Sequence, residues 1–194
     1  MQQGGRMMKR QGRFAGLGLI LGFCSIIQIG GCAKHGPPGY QPTYRGAFYI
    51  YKDKVQFKDG DTILLDGKPI RFLGIDTPEV MDPRVGIFEN QPFGLEAAES
   101  TRVWIMRAKT AEYLPDGKDY YGRRLAHILI DGELLAVRLI GCGLAYETVS
   151  WYGDNGFPDL AREILETSYQ APKPKFQKPY QWRKKHQKKR GKKN

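Results

Sequence analysis

Three of the four Asp-Gly pairs, Asp59-Gly60, Asp66-Gly67 and Asp131-Gly132, each stand beside short runs of β-branched and aliphatic residues, and that punctuation demands short strands that turn back on one another. Asp-Gly is favoured in two-residue turns because both positions tolerate a positive φ. The runs themselves predict strands over Ala47 to Phe57, Thr62 to Leu65, Ile70 to Ile75, Thr110 to Leu114 and Arg124 to Ile130. Helical periodicity intervenes three times. Gly94 to Lys109 places Ala97, Ala98, Trp104, Ile105 and Ala108 on one face; Leu134 to Cys142 is a short amphipathic helix ended by Gly143, and Pro158 to Ser168 is a third. Cys142 lies three residues after Leu139 on that face and is expected as a small buried hydrophobe. With no internal repeat, five short strands and three helices predict an α+β domain on a small closed or nearly closed barrel.

Charge separates this domain from its ends. Of 31 basic residues in the 194, four lie in residues 1–31 and eleven in residues 172–194, with no acid in either stretch. The 16 basic residues that remain face all 20 acids, so a chain of formal charge +11 has a body of about −4. Residues 1–31 join Arg6, Lys9, Arg10 and Arg13 to an uncharged run from Phe14 to Gly31, the layout of an export signal. Ile29-Gly30-Gly31-Cys32 resembles a bacterial lipobox, which predicts lipidation of Cys32 and a membrane-anchored lipoprotein of the cell envelope. An uncleaved anchor, or cleavage after Ala33 and release of a secreted protein, are the alternatives. Residues 32–46, with Gly36-Pro37-Pro38-Gly39, suit an extended tether, residues 47–171 form the domain, and residues 172–194 read as a basic disordered tail.

The chemistry concentrates in Arg71 to Glu79, RFLGIDTPE, where a guanidinium and two carboxylates surround a Thr77-Pro78 turn. Asp61 opens the second strand and Asp76 closes the third, so antiparallel pairing of those strands would bring both carboxylates to one end of the sheet, with Glu79 just beyond. Carboxylates gathered in that way repel unless a cation or arginines offset them. Oxygen ligands without paired His or Cys suit Ca²⁺ or Mg²⁺ and argue against Zn²⁺, while Arg71 and Arg123 suit bidentate binding of a phosphodiester. Taken singly, each piece also has a structural explanation: a turn, a strand start or a solvated arginine.

Together, the DGDT segment from Asp59, the Arg71 to Glu79 segment, GLEA from Gly94, DYYGR from Asp119 and GLA from Gly143 resemble the staphylococcal nuclease (thermonuclease) family over about Tyr51 to Ser168. The resemblance implies a five-stranded OB-type β-barrel with three helices and a Ca²⁺-dependent nuclease that hydrolyses DNA, RNA or both to 3′-phosphate products. It implies that Asp61, Asp76 and the Thr77 carbonyl hold the metal, that Glu79 orients or deprotonates the attacking water, and that Arg71 and Arg123 bind phosphate. Tyr121 corresponds to a tyrosine near a terminal phosphate, and Trp151 and Tyr152 are candidates for stacking on a base, with core packing equally open to both. Tyr120 replaces the family's lysine. Asp119 suits a turn cap.

In the tail, Lys and Arg interleave with Phe176, Tyr180 and Trp182, a composition for phosphate contacts and stacking on unpaired bases or for a solvated segment that adheres to anionic polymers. The expected partners are nucleic acid and, through the N-terminus, a membrane; the expected state is a monomer without an obligate protein partner. A non-catalytic nucleic-acid-binding envelope lipoprotein with the same barrel is the competing function.

Overall fold

A computed structural model describes residues 36–187. The export signal, Cys32, the start of the tether and the last residues of the tail lie outside the described residues. Among those described, no helix is long and apolar enough to cross a membrane.

The expected first strand is two, β1 (Phe48–Tyr49) and β2 (Val55–Phe57), separated by a 3-10 turn at Lys52–Lys54. β2 pairs antiparallel with β3 (Thr62–Leu65), and β3 with β4 (Lys68–Phe72). Asp66 (φ 50) and Gly67 (φ 72) make the β3–β4 turn with both residues left-handed, the geometry the right-handed strand twist selects. The expected third strand breaks at Gly74 (φ 80). There the chain leaves the main sheet, and β5 (Ile75–Asp76) pairs instead with β9 (Tyr146–Glu147). A side chain on Gly74 would be strained by that φ, and its Cβ would lie 2.5 Å from Ile164.

Helix α1 (Gly94–Arg107) leads to a long hairpin of β6 (Ala111–Lys118) and β7 (Arg124–Ile130). β7 lies parallel to β4, and a second left-handed Asp-Gly turn, Asp131-Gly132, returns β7 to β8 (Glu133–Leu134). The main sheet runs β1-β6-β7-β4-β3-β2, with β8 added to β7. It is a mixed, seven-stranded half-barrel in which β1 and β2 form the two ends, rather than five strands closed by pairing. The 3-10 turn, which divides β1 from β2, and the added β8 account for the two further strands of this sheet, while the Gly74 break places β5 in the second one.

Among the described residues, five helices replace the expected three. Besides α1, α2 (Leu135–Gly141) and α4 (Pro158–Gln170), the single-turn α3 (Val149–Tyr152) and the C-terminal α5 (Pro179–His186) are formed. Helix α1 buries Gly94, Ala97, Thr101 and Ile105, a stripe that includes the polar Thr101 because its hydroxyl donates to the Gly60 carbonyl at 2.7 Å. Helices α2 and α4 pack on each other, and the core joins Ile63, Ile70, Leu129, Leu135, Leu139 and Ile164. Each such side chain contributes roughly 1.5–3 kcal/mol on burial. Cys142 is not in that core: it caps α2 and is exposed, because the helix ends one residue before it and the buried face ends with Leu139 and Ile140.

The stretch before β1 is docked rather than merely extended. The buried Glu112 carboxylate accepts from the Tyr40 hydroxyl, from the Thr43 hydroxyl, and from the Thr43 amide at 2.9 Å.

Candidate active site

The β3–β4 register places Thr62 opposite Arg71, so Asp61, one residue before Thr62, stands beside the Arg71 guanidinium. The Phe72 amide donates to the Asp61 carbonyl at 2.8 Å, which fixes that corner. Arg71 Nη1 donates to Asp61 Oδ1, and Nη2 donates to Asp76 Oδ1 at 2.7 Å and to the Ile75 carbonyl at 3.3 Å. One guanidinium therefore spans two carboxylates that arrive from different sheets. The break at Gly74 makes this possible, because it carries Asp76 off β4 and back toward Arg71.

Asp61 is 1% exposed, and its second oxygen accepts from the Thr77 amide at 2.7 Å. The Thr77 hydroxyl is also buried and has no hydrogen-bond partner among the described residues. Glu79 follows at the rim, half-buried. Its amide donates to Gln91 Oε1 at 3.1 Å, and the Gln91 amide donates to the Glu79 carbonyl at 2.9 Å. Gly94 belongs to the same arrangement, since a Cβ there would lie 2.3 Å from the Glu79 carbonyl oxygen. The GLEA glycine thus allows the start of α1 to touch the backbone of the acid loop.

Arg183, on α5, completes the cluster. Nη1 donates to Glu79 Oε1 and to Asp76 Oδ1 at 3.3 Å, and Nη2 donates to Asp76 Oδ2 at 3.3 Å. No signal within the basic tail distinguishes Arg183 from its ten basic neighbours; the adjoining Trp182, an isolated large apolar residue in a charged run, is the residue that marks a docking helix.

Electrostatics follow from burial. Desolvation pushes the Glu79 carboxyl above its ordinary range, Arg183 partly opposes this, and the nearby Asp59 and Asp76 charges add to it. Asp59 is also raised by desolvation, against the pull of Arg71, Lys58 and Arg123. Burial opposes the charge on Arg183, but Asp76 and Glu79 outweigh it and raise its pKa. Three carboxylates, those of Asp61, Asp76 and Glu79, meet the two bridging guanidinium groups of Arg71 and Arg183 here.

Arg123 is not bonded into this cluster. It turns onto Asp119, with Nε donating to Oδ2 at 2.6 Å, while Asp119 Oδ1 accepts the Tyr121 and Arg123 amides at 2.9 Å each. Asp119 is thereby the cap of the β6–β7 turn. Burial raises its pKa, yet these bonds from Arg123 and Tyr121 bring it below the usual range. Tyr121 is 80% exposed, with the Arg123 guanidinium 5.7 Å from its ring centre. Trp151 and Tyr152, on α3, are also exposed, at 62% and 73%, so neither is a core residue. Trp151 meets Tyr180 edge-on at 6.2 Å, and Lys178 lies 5.2 Å from the Trp151 ring centre.

Among the described residues, no three His, Cys, Asp or Glu side chains are gathered as a ready metal cage. The donor set nevertheless fits a hard cation: Asp61 and Asp76 present carboxylate oxygens within the span of one guanidinium, and the neighbouring Thr77 hydroxyl is buried without a partner.

A mixed half-barrel carrying acids bridged by arginine at a sheet corner defines the class, an α+β domain with a charged site at the sheet corner. Comparison with known proteins makes the assignment specific. The model of the staphylococcal nuclease homologue family matches residues 69–177, and the chain belongs to that family. A thermonuclease of Staphylococcus hyicus is 39% identical over 135 residues, covering 67% of this chain and 78% of the relative. A thermonuclease of Staphylococcus intermedius is 35% identical over 106 residues, covering 52% of this chain and 60% of the relative. An endonuclease of Bacillus subtilis (strain 168) is 34% identical over 93 residues, 45% of this chain and 43% of that protein.

Proposed function

We propose that the protein is a Ca²⁺-dependent nuclease that hydrolyses phosphodiester bonds of DNA, RNA or both, leaving 3′-phosphate ends. The observation that carries this is the joining of Asp61, Asp76 and Glu79 through Arg71 and Arg183 at one corner of the half-barrel. The names of the relatives, two thermonucleases and an endonuclease, support it.

Asp61, Asp76 and the Thr77 carbonyl would hold Ca²⁺, which when bound supplies positive charge against the phosphate. Glu79, whose pKa burial raises toward the working range of a base, takes a proton from the attacking water. The water oxygen bonds to phosphorus, the bond from phosphorus to the 5′ oxygen breaks, and that oxygen leaves with the electron pair and takes up a proton from solvent. Arg71 and Arg123 donate to the phosphate oxygens, on which charge grows as the water adds. Arg123 must swing from Asp119 or act through its charge, while Tyr121, beside it, lies against the phosphate. Trp151 and Tyr152 offer exposed ring faces to bases.

The test is hydrolysis of DNA and RNA with Ca²⁺ and with EGTA, for wild type and Glu79→Ala, Arg71→Ala and Arg123→Ala. Activity should vanish with EGTA, and each variant should lose about 100-fold or more in kcat. Near-wild-type hydrolysis in all three variants would dismiss the site.

A further inference from the structure

Between residues 172 and 187 the chain carries six basic residues and no acid, yet it is firmly docked. Phe176 is 7% exposed and contacts Phe93 and Tyr146, whose hydroxyl donates to the Phe176 carbonyl at 2.8 Å. Trp182 is 5% exposed and stacks on His186 with ring centres 4.4 Å apart. The turn containing Val85 receives the Gln187 side chain, which donates to the Val85 carbonyl at 2.7 Å. Pro179 opens α5 with its φ already set for a helix, and Arg183, Lys184, Lys185 and His186 sit in the last turn, where the helix dipole favours positive charge.

This segment holds Glu79 from two directions. Gln91, 1% exposed, hydrogen-bonds the Glu79 backbone in both senses, and its side-chain amide donates to the Gln177 carbonyl at 2.5 Å. Meanwhile Arg183 bonds the Glu79 carboxylate and, through both of its Nη atoms, Asp76. The backbone of the base is therefore tied to the segment through Gln91, and its side chain is tied to the segment through Arg183.

We propose that Arg183 is a positioning residue for Glu79, and that the docked C-terminal segment completes the active site. The proposal rests on the nuclease reading of that site. A glutamate at a half-buried rim, repelled by Asp59 and Asp76, has rotamers that turn it away from them; the Arg183 fork fixes its distance from Asp76 and offsets the repulsion. Arg183 engages Oε1, and a contact on one oxygen leaves Oε2 to take the proton from water. A lysine would keep the charge but lose the planar fork that reaches two carboxylates at once.

The experiment compares the purified full chain with Arg183→Ala, Arg183→Lys and Trp182→Ala, using a single-stranded oligonucleotide with Ca²⁺, and reads kcat, KM and Tm. Misplacing a base by about 1 Å costs up to about 100-fold in rate. Arg183→Ala should therefore lower kcat about 10- to 100-fold with KM changed less than about threefold. Arg183→Lys should recover part of that loss, and millimolar methylguanidinium should recover part of it in Arg183→Ala. Trp182→Ala, which releases the helix while keeping the arginine, should show the same fall in kcat; if Arg183→Ala does not fold, the kcat and KM of Arg183→Lys and Trp182→Ala decide.

An unchanged kcat overturns the proposal, as does a loss carried by KM. A rise in kcat overturns it too, because it would make α5 an inhibitory latch over Asp76 and Glu79. Active wild type with an equally active Arg183→Ala sinks this proposal alone; inactive wild type sinks the nuclease reading and this proposal with it.

Discussion

Acid should unfold this protein in large part through His127. The residue sits on β7 opposite Leu114, is 3% exposed, faces Phe157 edge-on at 5.2 Å, and has no hydrogen-bond partner on either ring nitrogen among the described residues. Burial alone pushes its pKa down from 6.5 to about 4. The folded site refuses a proton that the unfolded chain accepts, so stability is fully present above pH 6.5 and is lost as pH falls toward 4. At about 1.4 kcal/mol per pH unit, the whole loss is about 3 kcal/mol, and about 2 kcal/mol of it has gone by pH 5. That is a large share of the roughly 5–15 kcal/mol that holds a domain together.

The assay is urea unfolding of wild type and His127→Leu at several values between pH 7.5 and pH 4.5. Asp59 and Glu79, whose raised pKa values favour the folded state as acid is added, titrate in both proteins and cancel in the difference. Wild type should lose about 2 kcal/mol more than His127→Leu between pH 7.5 and pH 5. Parallel stability curves for the two proteins would mean that the imidazolium of His127 is stabilised in the folded state, contrary to its burial without a partner among the described residues.

Two further outcomes follow from contacts outside the reaction itself. Gly94→Ala places a methyl against the Glu79 carbonyl; it should destabilise by about 1–3 kcal/mol and lower kcat, and a wild-type Tm with wild-type kcat would mean that α1 does not constrain the acid loop. Glu112→Ala leaves the Tyr40 and Thr43 donors without their shared acceptor; it should cost about 1–3 kcal/mol and open residues 36–46 to proteolysis while kcat is retained, and unchanged cleavage there would show that the carboxylate does not hold this stretch.

Much of the architecture was legible because it is written in local chemistry. Asp66-Gly67 and Asp131-Gly132 adopt paired left-handed φ values at the expected turns, and the apolar periods of α1, α2 and α4 locate three helices. The interrupted first and third strands were not legible, because a 3-10 turn at Lys52–Lys54 and a switch of sheets at Gly74 leave the apolar pattern continuous. Cys142 was misplaced because its position relative to the end of α2 decides its exposure, and helix ends are set within one or two residues. The tail misled for a different reason: net charge predicts solvation of a segment as a whole, while docking depends on a few anchors, here Phe176 and Trp182.

The turn chemistry, the α+β class and the closeness of Asp61 to Arg71 are fixed by the sequence, since antiparallel pairing across a two-residue turn leaves little freedom in register; Asp76 joins them through the switch of sheets at Gly74, where β5 pairs with β9. Which arginine meets which acid depends on the packing of distant elements. Arg123 pairs with its own turn, whereas Arg183, 104 residues beyond Glu79, reaches that carboxylate. A long-range ion pair depends on where distant elements dock, and docking is settled by the burial of Phe176 and Trp182 rather than by any spacing along the chain.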